Sequence, residues 1–302
     1  RTMKKDILEE FSFKDLYEGK EKKILKEEFS SSADYAFWIK GKYFFKSIPN
    51  LRYFIQEKLV EEIAQEMGIE TVRTWYGKLG HIPGEISLNF HKENCLYISG
   101  AKILEEYKNH LEKIGKEIPK NMNNLETIQE ALAFLYPESD SLAIELTKRY
   151  ILDILTMQSD RISENWEIEE NKETGKIRLA PYFDSDKSFT DHAAKEILQY
   201  GQRIHNPFII KCDYDKESAF LSTYEKIYHF LTCAPEPIFE YFAHVLEQYS
   251  KEKIESFLNE INKKIEAQEE TKSSILKDYE CHYAKMQELL SLAKEERRGL
   301  SR

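Results

Sequence analysis

Cysteine is scarce in this chain: there are four in 302 residues, Cys95, Cys212, Cys233 and Cys281, all far apart. No CxxC or Cys/His spacing suggests zinc, and so few thiols in a chain of this length do not make a disulfide framework. The eight histidines are scattered, with no pair at i, i+4, so a metal site built on imidazole is not expected. Long apolar runs are missing too, and none approaches the ~18 residues that a membrane span requires. The opening Arg1-Thr2-Met3 carries no signal-peptide apolar core; Met3 reads as the native start and Arg1-Thr2 as an addition. Basic charge is not in excess: 44 Lys and Arg against 54 Asp and Glu leave a net charge of −10. That balance gives no general attraction to nucleic acid or to an anionic membrane. There is no internal repeat. These absences together give the expectation of a cytoplasmic protein.

What the chain does have is material for a core. Apolar residues make up 41%, with 17 Phe and 18 Tyr, which excludes a disordered chain despite the 32% of charged residues. The length suits one large domain or two intimate lobes. Residues 4–28 pattern as a charged helix and 29–34 (FSSSAD) as a loop. Aromatic runs on either side of Gly41 give a hairpin signal over 35–46. Asn50 is placed to cap a helix in which Phe54, Leu59, Ile63 and Met67 keep helical spacing and which Gly68 ends. Strand-like pieces follow at 70–76, 77–82 and 85–90. Beyond residue 100 helical periodicity takes over, at 101–113, 124–135, 141–157, 192–203, 217–231, 235–247, 250–268 and 271–296, with one embedded hairpin over 165–183. Trp38, Trp75 and Trp166 read as packing residues, and the apolar stripe from Ile254 to Leu290 reads as core. The expected class is α+β, with a small β-rich lobe (1–95) ahead of a large helical one (96–302).

Polar residues that cannot serve a core cluster at the two ends of the embedded hairpin: Asp160-Arg161…Asn165 before it and Asp184-Ser185-Asp186 after it. Antiparallel strands return the chain to its starting point, so Asn165 and Asp184 should lie side by side. Phosphoryl transfer from a nucleotide needs a cation on the phosphates, a carboxylate on the accepting hydroxyl and oxygen ligands for magnesium. The kinase order of a strand Lys, a helix Glu, a loop Asp…Asn and a post-strand Asp can be followed here as Lys46, Glu57, Asp160, Asn165 and Asp184. Glu61 and Glu62 compete with Glu57 for the helix position. Asp186 reads as a solvent or cap residue and not as a metal ligand. Arg161 is read as steadying the loop through a carboxylate.

Asp160-Arg161-Ile162-Ser163-Glu164-Asn165 and Ala180-Pro181-Tyr182-Phe183-Asp184 resemble the Asp-Arg-His-x-x-Asn loop and the Ala-Pro-x-(Phe/Tyr)-Asp segment of the HipA-like serine/threonine kinase family. The likeness is strongest to its compact members, which lack an extra N-terminal subdomain, and it covers about residues 35–190. The resemblance implies a two-lobed protein-kinase-like fold using ATP and Mg2+, with Asp160 as catalytic base and Asn165 and Asp184 on the metal. It puts Lys46 on the ATP phosphates with Glu57 as its ion-pair partner, and Asn89 and Phe90 at the adenine edge. It also implies a protein substrate with a Ser or Thr hydroxyl, a regulator or antitoxin partner, and a toxin-like or effector role in which translocation is conceivable. The chain departs from the family twice. Ile162 stands where the family has His, and the Gly-rich loop is replaced by Ser30, Ser31, Ser32 and Asp34. Those serines are at once the phosphate-loop candidates and the candidates for autophosphorylation, which would place negative charge where ATP phosphates belong. A lipid or small-molecule acceptor, or a nucleotide-binding pseudokinase acting as a binding module, are the other readings that this pattern leaves open.

Overall fold

Two antiparallel sheets and eight α-helices form the described part of the chain. The structure is a computed structural model and describes residues 36–39, 43–48, 50–79, 82–120, 122–139, 141–158, 160–189, 223–265 and 269–300. The expected helices at 4–28 and 192–203 and the serine loop at 29–34 lie outside these residues. The α+β class holds, and none of the described helices is long and apolar enough to cross a membrane.

The first sheet has four strands: β1 (Ala36–Ile39), β2 (Tyr43–Ser47), β3 (Thr74–Leu79) and β4 (Ile82–Leu88), in the order β1-β2-β4-β3. It corrects the sequence expectation for 70–90. The pieces 70–76 and 77–82 do not form separate strands, and β4 takes in most of 85–90. β3 runs through Gly77, and Leu79 and Ile82 face each other in register. Gly77 lies inside the ladder opposite Gly84. Gly84 is required for packing: a Cβ there would fall 2.1 Å from the Phe45 ring.

Helix α1 (Leu51–Glu66) crosses between β2 and β3. Its start is fixed by Asn50, whose side chain accepts from Arg52 N at 2.6 Å, and it stops at Gly68, where φ is +72°. Its buried side chains Ile55, Leu59, Val60 and Ile63 join the main hydrophobic core. The second sheet is three-stranded, with β5 (Cys95–Ser99), β6 (Glu167–Asn171) and β7 (Ile177–Leu179) in sequence order. The β6–β7 hairpin matches the expectation for 165–183. Strand β5 was not foreseen, because Cys-Leu-Tyr-Ile-Ser is short and runs directly into α2 (Gly100–Lys113). Gly100 makes that junction possible, since a Cβ there would fall 2.1 Å from the Trp166 indole.

The remaining helices are α3 (Leu125–Leu135), α4 (Ser141–Leu155), α5 (Thr223–Cys233), α6 (Glu236–Gln248), α7 (Lys251–Ile265) and α8 (Glu269–Leu300). The C-terminal apolar stripe is core, as expected: Ile254, Leu258, Ile261, Ile275, Tyr279 and Met286 are buried in the same cluster that holds Ile151 and Leu152 of α4. One polar contact ties α8 to α4. His282 is buried, its Nε2–H donates to Ile154 O at 2.7 Å, and its Nδ1 accepts from Tyr224 OH at 3.3 Å.

Burial pushes the His282 imidazole down to about 4, against an ordinary value of 6.5. A depressed folded-state value means that the neutral ring's contribution is complete above pH 6.5 and is lost as pH falls toward 4. Between pH 7 and pH 5 this group alone should cost about 2 kcal/mol of stability. His282→Gln keeps an N–H donor but does not titrate. Urea unfolding at pH 7, 6 and 5 should show the wild type losing ground to the variant by that margin, and parallel pH slopes would contradict the assignment.

Candidate functional site

Lys46 lies one residue from the end of β2, with Glu85 of β4 as its register partner. Glu57 sits in the second turn of α1. Asp160 follows α4, and Asn165 closes a 3-10 turn, Ser163–Asn165, just before β6. Asp184 follows β7. The β6–β7 hairpin pairs Ile168 with Leu179, which brings the loop before it and the segment after it to the same end. Lys46 Nζ reaches Asp184 Oδ1 at 2.8 Å, and Asn165 Nδ2 donates to Asp160 O at 2.7 Å.

Arg161 joins the two segments. Its side chain is 1% exposed. Nη1 donates to Asn165 O at 2.9 Å on one side and to Phe183 O at 2.6 Å on the other. Nε and Nη2 reach Asp153 Oδ1 of α4 at 3.4 Å, and Nη2 reaches Ser185 Oγ at the same distance. The guanidinium stacks 3.9 Å above the Tyr182 ring, and the Tyr182 hydroxyl donates to Asp153. The carboxylate expected to partner Arg161 is therefore Asp153. Burial would lower the Arg161 value, but Tyr182 and Asp153 outweigh it and raise it. Gln158 adds a second tie: its Nε2 donates to Asp184 O at 3.0 Å, and its Oε1 accepts from Asp160 N at 3.2 Å. Nothing in the motif pattern singled out Gln158.

Helix α1 holds the Asp184 segment from the opposite side by its backbone. Glu57 accepts the Ser185 N–H, while Arg52 and Gln56 both donate to Phe189 O, at 2.6 and 3.1 Å. Two non-glycine residues within this grip are left-handed, Asp184 (φ 56°) and Phe189 (φ 51°). Such backbone persists only where surrounding contacts hold it.

Two expectations are corrected here. Lys46 and Glu57 do not form an ion pair: Glu57 is taken up by the Ser185 amide, and Lys46 bonds Asp184 and also Asp186 Oδ2, at 3.0 Å. Asp186 is therefore neither a solvent nor a cap residue; it is buried against the lysine. The ambiguity among the three helix glutamates is resolved. Glu61 faces Thr74 and Lys58, Glu62 lies 3.9 Å from Lys58, and Glu57 alone turns to the Asp184 segment.

Carboxylates outnumber cations around Lys46. Burial would lower its ammonium, but Asp184 and Asp186 outweigh that and hold it well above the ordinary value. Burial tends to raise Asp184, and Lys46 overcomes it to leave the carboxyl below its usual range. Glu57 and Glu85 lack such a direct partner. Burial and the neighbouring carboxylates push Glu57 well up and Glu85 to about 8. Asp160 is raised by partial burial and by the charges of Asp184 and Asp186, the direction that makes a carboxylate a better proton acceptor.

Phe90 stacks on Phe183 at 5.4 Å, beside Asp184, and its carbonyl accepts from Tyr97 OH at 3.0 Å; Asn89 Oδ1 accepts from His91 N at 3.0 Å. Phe90 thus borders the site, whereas the Asn89 contact is local to its own turn. Ser30, Ser31 and Ser32 lie outside the described residues. Among the described residues no three His, Cys, Asp or Glu side chains form a metal cluster. Asn165 and Asp184 do offer the hard oxygen donors that suit magnesium. Asn165 Nδ2 is committed to Asp160 O, which leaves the amide oxygen as the donor that a cation would take.

No family model matches the chain, and no curated protein sequence matches it. Solved structures do. A Helicobacter pylori proinflammatory kinase, CtkA, aligns over 89% of this chain and 95% of its own, with a TM-score of 0.61 at 17% identity. HipA from Shewanella oneidensis MR-1, in a toxin–antitoxin complex with HipB and operator DNA, aligns over 85% of this chain with a TM-score of 0.54 at 11% identity. The matched part is 60% of that second chain. At these identities the likeness is one of fold. These neighbours match the HipA-like kinase family that the motifs resemble.

The Arg161 network yields a stability prediction. Arg161→Lys keeps the charge but cannot span Asn165 O, Phe183 O and Asp153 at once. Breaking a buried pair of this kind costs about 3–5 kcal/mol. Tyr182→Phe, which removes one hydroxyl, should cost only about 1–2 kcal/mol. Urea unfolding of both variants checks the ranking, and equal losses would show that the fork is not what holds the loop.

Proposed function

We propose that the chain is an ATP-dependent serine/threonine protein kinase of the HipA-like kind. The observation that carries this reading is the convergence of Lys46 on β2, Asp160 and Asn165 on one loop, and Asp184 on a third stretch, at the end of one hairpin. Convergence in the kinase order, on a fold shared with a kinase, has no simple explanation as loop chemistry alone.

In this reading the β1–β4 sheet and α1 belong to a nucleotide-side lobe, residues 1–95, and residues 96–302 form the helical lobe. Asn89 and Phe90 border the adenine, and Ser30, Ser31 and Ser32 belong to the phosphate loop. Lys46 holds the phosphates of ATP. Asn165 and Asp184 hold magnesium, which when bound neutralises phosphate charge and orients the transferred group. Asp160 orients the acceptor hydroxyl and takes its proton as the hydroxyl oxygen bonds to the γ-phosphorus and the bond to ADP breaks. Ile162 occupies the family's His position without a part in these contacts. A protein with an accessible Ser or Thr is the proposed substrate, and a HipB-like regulator is a candidate partner. The proposed setting is the cytoplasm, with an effector role after translocation as its extension.

Incubation with labelled ATP and Mg2+ tests this directly. The wild type should label itself or a general protein acceptor. Asp160→Ala and Asp184→Ala should each reduce labelling by on the order of 10^3-fold or more, as expected when a group acting in the transition state is removed. Labelling of lipid but not protein would move the reading to a lipid kinase. Unchanged labelling in Asp160→Ala would remove the proposed base. Phosphopeptide mapping of the wild-type product should place phosphate on Ser30, Ser31 or Ser32, and phosphate found only elsewhere would end the self-regulatory reading of that loop.

A further inference from the structure

We propose that Asp186, rather than Glu57, is the positioning residue for Lys46. This rests on the kinase reading and deepens it: Asp186 holds the lysine where phosphates arrive, while Glu57 holds the backbone of the metal segment. The geometry divides the two roles. Lys46 Nζ lies 3.0 Å from Asp186 Oδ2, whereas the Glu57 carboxylate accepts the Ser185 amide. An ammonium has three donors, and two of them are committed here, to Asp184 and Asp186.

Exposure distinguishes these two partners. The Asp184 side chain is 32% exposed and Asp186 10%. Asp184 therefore faces the open side, where a metal–nucleotide complex would take up its carboxylate. Asp186 lies on the inner side and keeps its bond to Lys46 when Asp184 is drawn away. A lysine with Asp184 as its sole partner would have to share that carboxylate with the metal. The placement also has a mechanical consequence. Asp186 is two residues from Asp184 on a segment pinned by Arg161, Gln158 and Glu57. The phosphate-binding cation and the metal-binding carboxylate are thus set by one piece of backbone, and disturbing that piece moves both together.

A double-mutant cycle tests the assignment, with KM for ATP and kcat measured at saturating Mg2+ for wild type, Asp186→Asn, Lys46→Met and the double variant. Loss of one charge-assisted bond should raise KM for ATP on the order of tenfold in Asp186→Asn, with kcat changed far less. Because Asp186 acts through Lys46, the double variant should be no worse than Lys46→Met alone. Asp186→Glu, which keeps the carboxylate, should recover most of the affinity, whereas a residue needed only for packing would not be rescued this way. Glu57→Leu, which removes the acceptor of the Ser185 amide, serves as the contrast and should lower stability in urea without the same selective rise in KM. Additive losses in the cycle, or a wild-type KM in Asp186→Asn, would overturn the proposal while leaving the kinase reading intact. If the wild type neither turns over nor binds an ATP analogue with Mg2+, the kinase reading itself fails, and this role for Asp186 fails with it.

Discussion

The buried guanidinium of Arg161 is the contact on which the site depends. Taking a full charge out of water is costly, and it is tolerated only where every donor finds an acceptor. Here the acceptors are the carbonyls of Asn165 and Phe183, the Asp153 carboxylate and the Ser185 hydroxyl, with the Tyr182 ring covering one face. These acceptors come from α4, from the loop that carries Asp160 and from the segment that carries Asp184. The two segments can satisfy Arg161 only when they lie against each other, so burial of this one side chain enforces the juxtaposition of Asp160, Asn165 and Asp184 on which the proposed function rests. The hairpin brings the segments to the same end of the sheet; Arg161 fixes their spacing.

Around Lys46 the balance is reversed, with too many acids for the available cation. Asp184 and Asp186 share the ammonium, while Glu57 and Glu85 are pushed toward their neutral forms. A neutral Glu57 would still accept the Ser185 amide through its carbonyl oxygen, so its structural role does not depend on charge. The electrostatic demand therefore falls on Asp184 and Asp186. A pocket of this kind accepts added positive charge readily and added phosphate poorly. On the proposed reading, a nucleotide bringing its own divalent cation would satisfy that balance.

Much of this was legible in the sequence, for identifiable reasons. Asp160, Asn165 and Asp184 sit at fixed offsets from a hairpin, and strand geometry alone predicts that its two ends meet. Asn50 and Gly68 mark α1 through capping chemistry that is local to them. What could not be read was which acid faces which partner. Glu57, Glu61 and Glu62 fall within two turns of one helix, and their directions depend on where β3 and the Asp184 segment pack. Asp186 looks like any acid after a strand until the segment curls beneath β2. Likewise the break read between 76 and 77 is absent from the fold, where Gly77 lies inside the ladder opposite Gly84. Local chemistry is encoded locally, while pairing across β2, α1 and the Asp184 segment is a property of the packed chain.

The positive φ of Asp184 shows how the site keeps its support separate from its chemistry. A left-handed aspartate costs on the order of 1–3 kcal/mol of backbone strain. The flanking groups are held on several sides: Phe183 O by Arg161, Asp184 O by Gln158, and Ser185 N by Glu57. All of those bonds go to the backbone and none to the Asp184 carboxylate, whose described partner is Lys46. The fold thus spends its rigid contacts on the peptide groups and leaves the carboxylate to Lys46. Asp160 follows the same pattern. Its amide is held by Gln158 and its carbonyl by Asn165, so the loop is fixed through its main chain while its carboxylate remains half-exposed. On the proposed reading, a substituted carboxylate at either position removes the chemistry and leaves the scaffold standing, so that activity and folding can be measured apart.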